Sequence, residues 1–133
     1  MEKIEAAPLL ETLDGILDRL APAKLDGLEI WHPHASPKHL TPVLATAVRN
    51  RLQAHRMTCC AYAGGIGDPA RDADGCHEKF QAARLLGAPV IAAHLDHATI
   101  PELCRIAAQY GIRLGFENGH EGGVEEIVEA MER

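Results

Sequence analysis

The sequence predicts one α/β domain, spanning residues 1–133, in which a helix precedes four βα units around a parallel sheet. Three observations predict this class. Short apolar runs alternate with stretches of helical periodicity. The predicted strand starts lie roughly 20–35 residues apart, the spacing that parallel βαβ crossovers need. The strands are nearly continuous apolar runs, as expected for strands that are covered on both faces.

The first half of the chain predicts helix, strand and helix in that order. A helix over about residues 8–21 follows from one leucine-rich apolar face. The first strand is the run Leu28–Trp31. Thr41, followed by proline, is typical of a helix start, although Ser36–Pro37 offers an earlier start for the same helix. This second helix is predicted to end near His55.

The middle of the chain predicts a strand, a helix and a strand. The second strand lies within residues 57–65, "MTCCAYAGG", and ends in glycines. A third helix is predicted from about Asp72 to Leu86, because Gly87 is a favourable residue just past a helix end. The third strand lies within residues 88–97, "APVIAAHLDH".

The remaining elements complete the fourth βα unit. Thr99 and Glu102 have the spacing of a capping box and predict a helix that continues to Tyr110. The fourth strand lies within residues 112–120, "IRLGFENGH". Apolar residues at helical spacing predict a last helix over residues 124–131.

Composition excludes several classes of protein. The formal charge is −6, and no Lys/Arg cluster indicates a nucleic-acid partner. No apolar run reaches the length of a membrane span, and the N-terminus does not resemble a signal peptide. The four cysteines lack CxxC spacing, which favours reduced thiols over a disulfide framework. We expect a soluble, cytoplasmic protein that binds neither nucleic acid nor membrane.

Polar residues collect where the predicted strands end. Histidines follow the first and third strands as His32 and His94, and Glu117 follows the fourth. Sites in parallel α/β folds form at these carboxyl ends. A carboxylate in register with a buried strand must be paired, protonated or bound to a cation. Carboxylate and imidazole together favour a divalent metal.

Strand alternation links Glu117 to a second expectation. If Glu117 points into the cleft, Gly115 and Arg113 point the same way. Arg113 then needs a partner, and we expect an ion pair with Glu29 on the first strand. In the alternative, Arg113 faces the helix layer, and Glu117 turns away from the cleft with it.

A glycine-rich loop follows the second strand. "GIGDPA", residues 65–70, matches a dinucleotide-binding pattern only weakly, because a proline interrupts it and no acidic residue ends the next strand. The loop is more typical of a βα connection whose backbone N–H groups, at Gly65 for example, contact a substrate phosphate or hydroxyl. Cys59 and Cys60 lie in mid-strand, which favours core packing over nucleophilic catalysis.

Three stretches, "DGLEIW", "KFQAARLLGAPVIAAH" and "AAQYGIRLGFEN", resemble the sugar phosphate isomerase/epimerase family of xylose isomerase-like TIM barrels. The resemblance implies a parallel (βα)4 half of a TIM barrel. It also implies that Glu117 is a metal ligand that takes part in proton transfer, and that His94 lines the site. The metal implied is Zn, Mn, Mg or Co, held by Glu117 and His94. His32, Tyr62, Gly65 and Asn118 are the expected substrate-binding residues.

The resemblance covers only part of the family's barrel. That barrel has eight strands, whereas four are predicted here, so one chain supplies at most half of the metal site. The first functional hypothesis is metal-assisted proton or hydride transfer on a sugar, sugar phosphate or polyol. The alternative is a catalytically inactive half-barrel that acts as a binding or scaffold module, or a fragment that reports on barrel evolution.

A half-barrel also predicts a partner. Ile30, Val90, Ala92 and Leu114 cannot all be covered by helices on one face, and both sheet edges stay open. Two copies related by a twofold axis would close an eight-stranded barrel, so we expect a homodimer. The other possibilities are a strand- or helix-swapped dimer and an open flavodoxin-like sheet with helices on both faces.

Overall fold

The structure is a computed structural model that describes residues 2–94, 96–117 and 124–132. Strands and helices alternate after a first helix, as predicted. No helix within the described ranges has both the length and the apolar character needed to cross a bilayer. In chain order the elements are α1 (Glu2–Leu20), β1 (Gly27–Trp31), α2 (Pro42–Ala54), β2 (Thr58–Ala63), α3 (Ala73–Leu86), β3 (Val90–Ala93), α4 (Ile100–Tyr110), β4 (Arg113–Phe116) and α5 (Val124–Met131).

The four strands form one parallel sheet in the order β1-β2-β3-β4. Each strand therefore pairs only with its neighbours along the chain. Ile30 aligns with Tyr62, Tyr62 with Ile91, and Ile91 with Leu114. An irregularity in β2 beside Leu28 and Glu29 shifts the register by one residue. β1 and β4 are the two edges of the sheet.

One face of the sheet packs against the helices. Ile30, Tyr62 and Ile91 are buried there, and Leu114 packs against the same core. α1, α2, α3 and α4 contact one another in sequence, so they form one layer over this face. The helices contribute Leu17, Leu52, Phe80, Leu86, Leu103 and Ile106 to the core.

The other face of the sheet, which we call the open face, is not covered by the described helices. It carries Glu29, Trp31, Cys60 and Arg113, which are exposed, together with half-exposed Val90, Ala92 and Gly115. A side chain added at Gly115 would touch Val90, which confirms that these two residues face the same way. Four apolar residues were expected to lack cover. Val90 and Ala92 lie on the open face and are half-exposed, whereas Ile30 is buried and Leu114 is half-buried on the helix side.

Local capping signals fix two helix starts as predicted. The Thr41 hydroxyl accepts a hydrogen bond from the Leu44 N–H at 3.1 Å, so α2 begins at Pro42 and the alternative start at Ser36–Pro37 is excluded. The Asp72 carboxylate accepts from the Gly75 N–H at 2.9 Å at the start of α3.

One predicted helix start is wrong, and one predicted capping box does not form. α1 begins at Glu2 rather than near residue 8, and it continues through Pro8. α4 begins at Ile100, directly after Thr99, as predicted, but Thr99 makes no capping hydrogen bond to the helix. Its hydroxyl donates to the carbonyl of Asp96 at 2.7 Å instead. Glu102 instead accepts two hydrogen bonds from Arg105, at 2.6 and 2.9 Å. The guanidinium group of Arg105, one helical turn further on, binds the Glu102 carboxylate that the capping box would need.

The expected Glu29–Arg113 ion pair within one chain is also wrong. The two residues lie on opposite edges of the sheet, with β2 and β3 between them. Three strand spacings separate them by about 14 Å, beyond the reach of an ion pair. The cysteines follow expectation: all four are free thiols, with Cys59 and Cys76 buried and Cys60 and Cys104 exposed.

Candidate functional site

His94 and Glu117 come together at the carboxyl ends of β3 and β4. Each residue directly follows its strand, and the two strands are neighbours. The Glu117 N–H donates to the Ala93 carbonyl at 3.0 Å, so the pairing of the strands continues one residue beyond β4. Glu117 also continues the alternation of Arg113 and Gly115, which places it at the upper rim of the open face.

The imidazole of His94 contacts Glu117 through both of its nitrogens. Nδ1 lies 2.9 Å from the backbone carbonyl oxygen of Glu117, and Nε2 lies 3.5 Å from its carboxylate oxygen Oε2. A carbonyl oxygen only accepts hydrogen bonds, so Nδ1 must carry a hydrogen. The side chains are 54% and 41% exposed, which leaves both open to a small ligand.

The tautomer has a chemical consequence. In a neutral imidazole with hydrogen on Nδ1, Nε2 presents a lone pair, and it faces the lone pairs of the Glu117 carboxylate. Such a contact is favourable when a proton makes His94 an imidazolium, or when a cation lies between the two groups. Metal-binding histidines commonly donate their other N–H to a backbone carbonyl, as His94 does.

The donors fit a divalent metal in type and spacing. Two ligands that each lie about 2.1 Å from a tetrahedral ion are about 3.4 Å apart, close to the 3.5 Å between Nε2 and Oε2. The number of ligands does not fit. Catalytic zinc sites use three protein ligands, and the described part of the chain has no group of three His, Cys, Asp or Glu suited to hold a metal.

His32 lies at the same end of the sheet, two strands from His94. Its backbone N–H donates to the Ala63 carbonyl at 2.7 Å, and its ring covers Gly64, where an added Cβ would collide with the ring atom Nδ1. Gly64 has a φ of 141°, which glycine adopts readily. Nδ1 of His32 is buried without a hydrogen-bond partner among the described residues. The loops after β1 and β2 are therefore packed together.

No protein-family model matches this sequence, and no curated protein does. Among solved structures, a crystal structure of a xylose isomerase domain protein from Planctomyces limnophilus superposes on the chain with a TM-score of 0.72 at 18% identity. The match covers 87% of this chain and 53% of that one. The fold is half of a xylose isomerase-like TIM barrel. The resemblance read from the sequence is thus confirmed for the fold, and the chain spans about half of the matched protein's length.

The structure does not bring Tyr62 to the rim of this half-barrel. Tyr62 is buried on the helix side of the sheet, and its hydroxyl donates to the Ala35 carbonyl at 2.8 Å. Burial raises the pKa of the Tyr62 hydroxyl well above its ordinary value. Gly65 lies exposed in the loop after β2, and Asn118 lies outside the described residues.

Trp31 is a candidate binding residue that the sequence reading missed. It ends β1 on the open face of the half-barrel and is 53% exposed. Its ring packs edge to face on His34, with centroids 5.5 Å apart. The sequence contained a signal for this placement. Glu29 and Trp31 are two residues apart on one strand and so face the same side, and a carboxylate is not expected to face the core.

Proposed function

We propose that the half-barrel belongs to an isomerase or epimerase of a sugar, sugar phosphate or polyol, in which Glu117 transfers a proton at a carbon beside a carbonyl. The observation that carries this proposal is the contact of His94 with both the carboxylate and the backbone carbonyl of Glu117. This pair lies at the carboxyl ends of β3 and β4, where parallel α/β barrels place their sites.

Glu117 has the properties of a general base. Its carboxylate is partly exposed at the rim and can approach a bound ketose or aldose. It would remove the proton from the carbon next to the carbonyl, leaving an enediolate. Return of that proton to the former carbonyl carbon, together with transfer of the hydroxyl proton between the two oxygens, gives isomerisation. Protonation of the original carbon by a second acid on its other side gives epimerisation.

His94 would orient the base and stabilise developing charge. The hydrogen bond from Nδ1 to the Glu117 carbonyl fixes the direction of the ring. With hydrogen on Nδ1, His94 would present the lone pair of Nε2 to a divalent cation beside the Glu117 carboxylate. Trp31 would offer an aromatic surface to the apolar side of a sugar ring at the other end of the rim.

A divalent cation is part of the proposal, with Glu117 and His94 as two of its ligands. When bound, Zn²⁺, Mn²⁺, Mg²⁺ or Co²⁺ would polarise the carbonyl and hydroxyl oxygens of the substrate. The further ligands must come from outside the described residues of one chain, since those residues supply no third ligand beside the pair.

A binding or scaffold role is the second candidate. The small number of convergent polar groups among the described residues favours it. Such a protein would bind a sugar or another partner at the rim without turnover. The two functions differ in whether a carbon-bound hydrogen is exchanged.

Proton NMR in D2O tests the proposal across a series of sugars, so the substrate need not be identified first. The protein is incubated with ketoses and ketose phosphates in the presence of Mn²⁺, Zn²⁺, Mg²⁺ or Co²⁺ in turn, and the metal is removed before spectra are recorded. We expect deuterium to replace hydrogen beside the carbonyl, and Glu117→Gln to lower the rate at least about 100-fold. Asp18→Asn, a change on the exposed side of α1, is the matched control.

Hydrogen exchange that persists in Glu117→Gln would show that Glu117 is not the base that transfers the proton. Ligand-induced shifts in protein spectra without any exchange, across the whole series of sugars and metals, would favour the binding or scaffold function instead.

A further inference from the structure

Parallel sheets are found with both faces covered, yet the open face of this sheet is not covered by the described helices. Trp31, Val90 and Ala92 place apolar surface there. The edges β1 and β4 also present backbone groups that have no neighbouring strand within the described sheet. A partner that closes the barrel would cover the face and both edges together.

The charges on the two edges are complementary. Glu29 on β1 and Arg113 on β4 are exposed, and both lie on the open face. Glu29 aligns with Ala61, and Arg113 aligns with Val90, so the two charges lie at a similar level of the sheet. About 14 Å of sheet separates them within one chain. Each charge therefore needs its counter-charge from outside its own chain once the face is enclosed.

We propose that the open face closes against the open face of a second copy of this chain, with β1 of each copy beside β4 of the other. A twofold axis along the barrel produces two identical seams and eight parallel strands. The enclosed interior then holds two Glu29 carboxylates and two Arg113 guanidinium groups, so its formal charge is balanced. A closed barrel without this balance would bury uncompensated charge.

The β1 edge of the sheet supports the same closure. An apolar groove of about 230 Å³ lies between α1 and β1, lined among others by Leu13, Ile16 and Trp31. Closure places the β1 edge of one copy, with this groove, against the β4 edge of the other. The apolar residues that line the groove are then covered at the seam.

The dimer would also change the candidate site. One chain contributes one His94–Glu117 pair to the rim, whereas the closed barrel has two such pairs around a single mouth. A ligand in that mouth would meet groups from both copies. The dimer itself does not rest on the proposed function, since a closed barrel without turnover would leave this inference intact.

Light scattering on the full chain, combined with charge reversal, tests the interface. We expect a species of twice the 14.4 kDa chain mass. Glu29→Arg and Arg113→Glu, made singly, each place four like charges in the interior and should weaken self-association at least about 100-fold. The double variant restores the balance and should return to within about tenfold of wild type. Glu78→Arg, on the exposed side of α3 and away from both sheet edges, makes the same charge change outside the interface and should keep the dimer.

Cysteine alkylation gives a second measurement that needs no variant. Cys60 lies on the open face and Cys104 lies on α4, and both are exposed in one chain. Closure of the dimer should protect Cys60 from alkylation. Dilution dissociates the dimer, so the alkylation rate of Cys60 relative to that of Cys104 should rise as the protein is diluted. A folded monomer at about 100 µM, a dimer that both single variants leave unchanged, or Cys60 as reactive as Cys104 at every concentration would each overturn the proposal. The first outcome would assign the open face to a different chain or to further polypeptide.

Discussion

The imidazole of His94 holds Glu117 at two points, with Nδ1 2.9 Å from its backbone carbonyl oxygen and Nε2 3.5 Å from its carboxylate. The first contact holds the ring through the backbone carbonyl of Glu117, which does not depend on the side chain of that residue. Removal of the carboxylate should therefore leave the ring of His94 in place. The pair allows the role of the carboxylate to be tested without disturbing the rest of the rim.

We predict that Glu117→Ala loses binding of Zn²⁺ or Mn²⁺ and keeps its fold. The loss follows because one of two ligands is gone, whereas the partly exposed His94–Glu117 pair contributes at most about 1 kcal/mol to the free energy of unfolding. Calorimetric metal titration and urea unfolding measure the two effects on a tag-free chain. Asp18→Ala should match wild type in both. Unchanged metal content in Glu117→Ala would refute the assignment.

Tyr62→Phe should lower the free energy of unfolding by about 1 kcal/mol or more and leave sugar and metal binding unchanged. The change removes the hydrogen bond to the buried Ala35 carbonyl and leaves that oxygen without its donor. Urea unfolding gives the cost. Tyr110→Phe, whose hydroxyl is only partly buried next to His77, is the control and should cost less. A loss of sugar affinity in Tyr62→Phe would instead make Tyr62 a binding residue.

Gly64→Ala should destabilise the protein by about 2 kcal/mol or more, because its φ is strained for alanine and the new Cβ collides with His32. Gly65→Ala is a matched control in the same loop, since an added Cβ there meets no atom within 4 Å. Thermal unfolding of the two variants compares them directly. Equal melting temperatures would show that the ring of His32 does not lie over Gly64.

Stability should fall at alkaline pH in part through Cys59. Burial, followed by the nearby Cys60, raises the pKa of the Cys59 thiol to about 12. An unfolded thiol ionises at about pH 8.5, so this contribution to stability is present below that pH and is lost as the pH rises toward 12. In that window Cys59→Ala should show a slope shallower by up to about 1.4 kcal/mol per pH unit. Between pH 6 and 8 the slopes should agree, and a common slope above pH 9 would contradict the assignment.

The order and type of the elements could be predicted because their signals are local. Thr41 and Asp72 cap the helices that follow them, and the apolar runs between helices become the strands. The start of α4 after Thr99 could be predicted as well, whereas the absence of its capping box could not, because Glu102 had two possible partners within a few residues. The Glu102 carboxylate binds Arg105 instead of capping the helix. Which of the two interactions forms depends on side-chain geometry rather than on sequence spacing.

The site was predictable to the extent that chain order determines which strands are neighbours. His94 and Glu117 follow adjacent parallel strands, so their proximity could be expected from the sequence. The direction of Tyr62 could not, because the register shift in β2 moves later residues of that strand to the other face. The Glu29–Arg113 expectation failed for a different reason. It was argued from alternation, which predicts only the face of a residue, and it ignored that the first and fourth strands are not neighbours in chain order.

The sequential order of the strands also affects how the chain can fold. Each strand pairs with the strand that precedes it in the chain, so strand pairing never requires a segment that is distant in sequence. Loop-closure entropy is then lost in small steps along the chain, and a nascent polypeptide can begin to fold from its N-terminal side during synthesis. We expect φ-values to be high for variants in β1, β2 and α2 and low for those in β4, as measured by stopped-flow refolding. Uniform φ-values along the chain would argue against such directional growth.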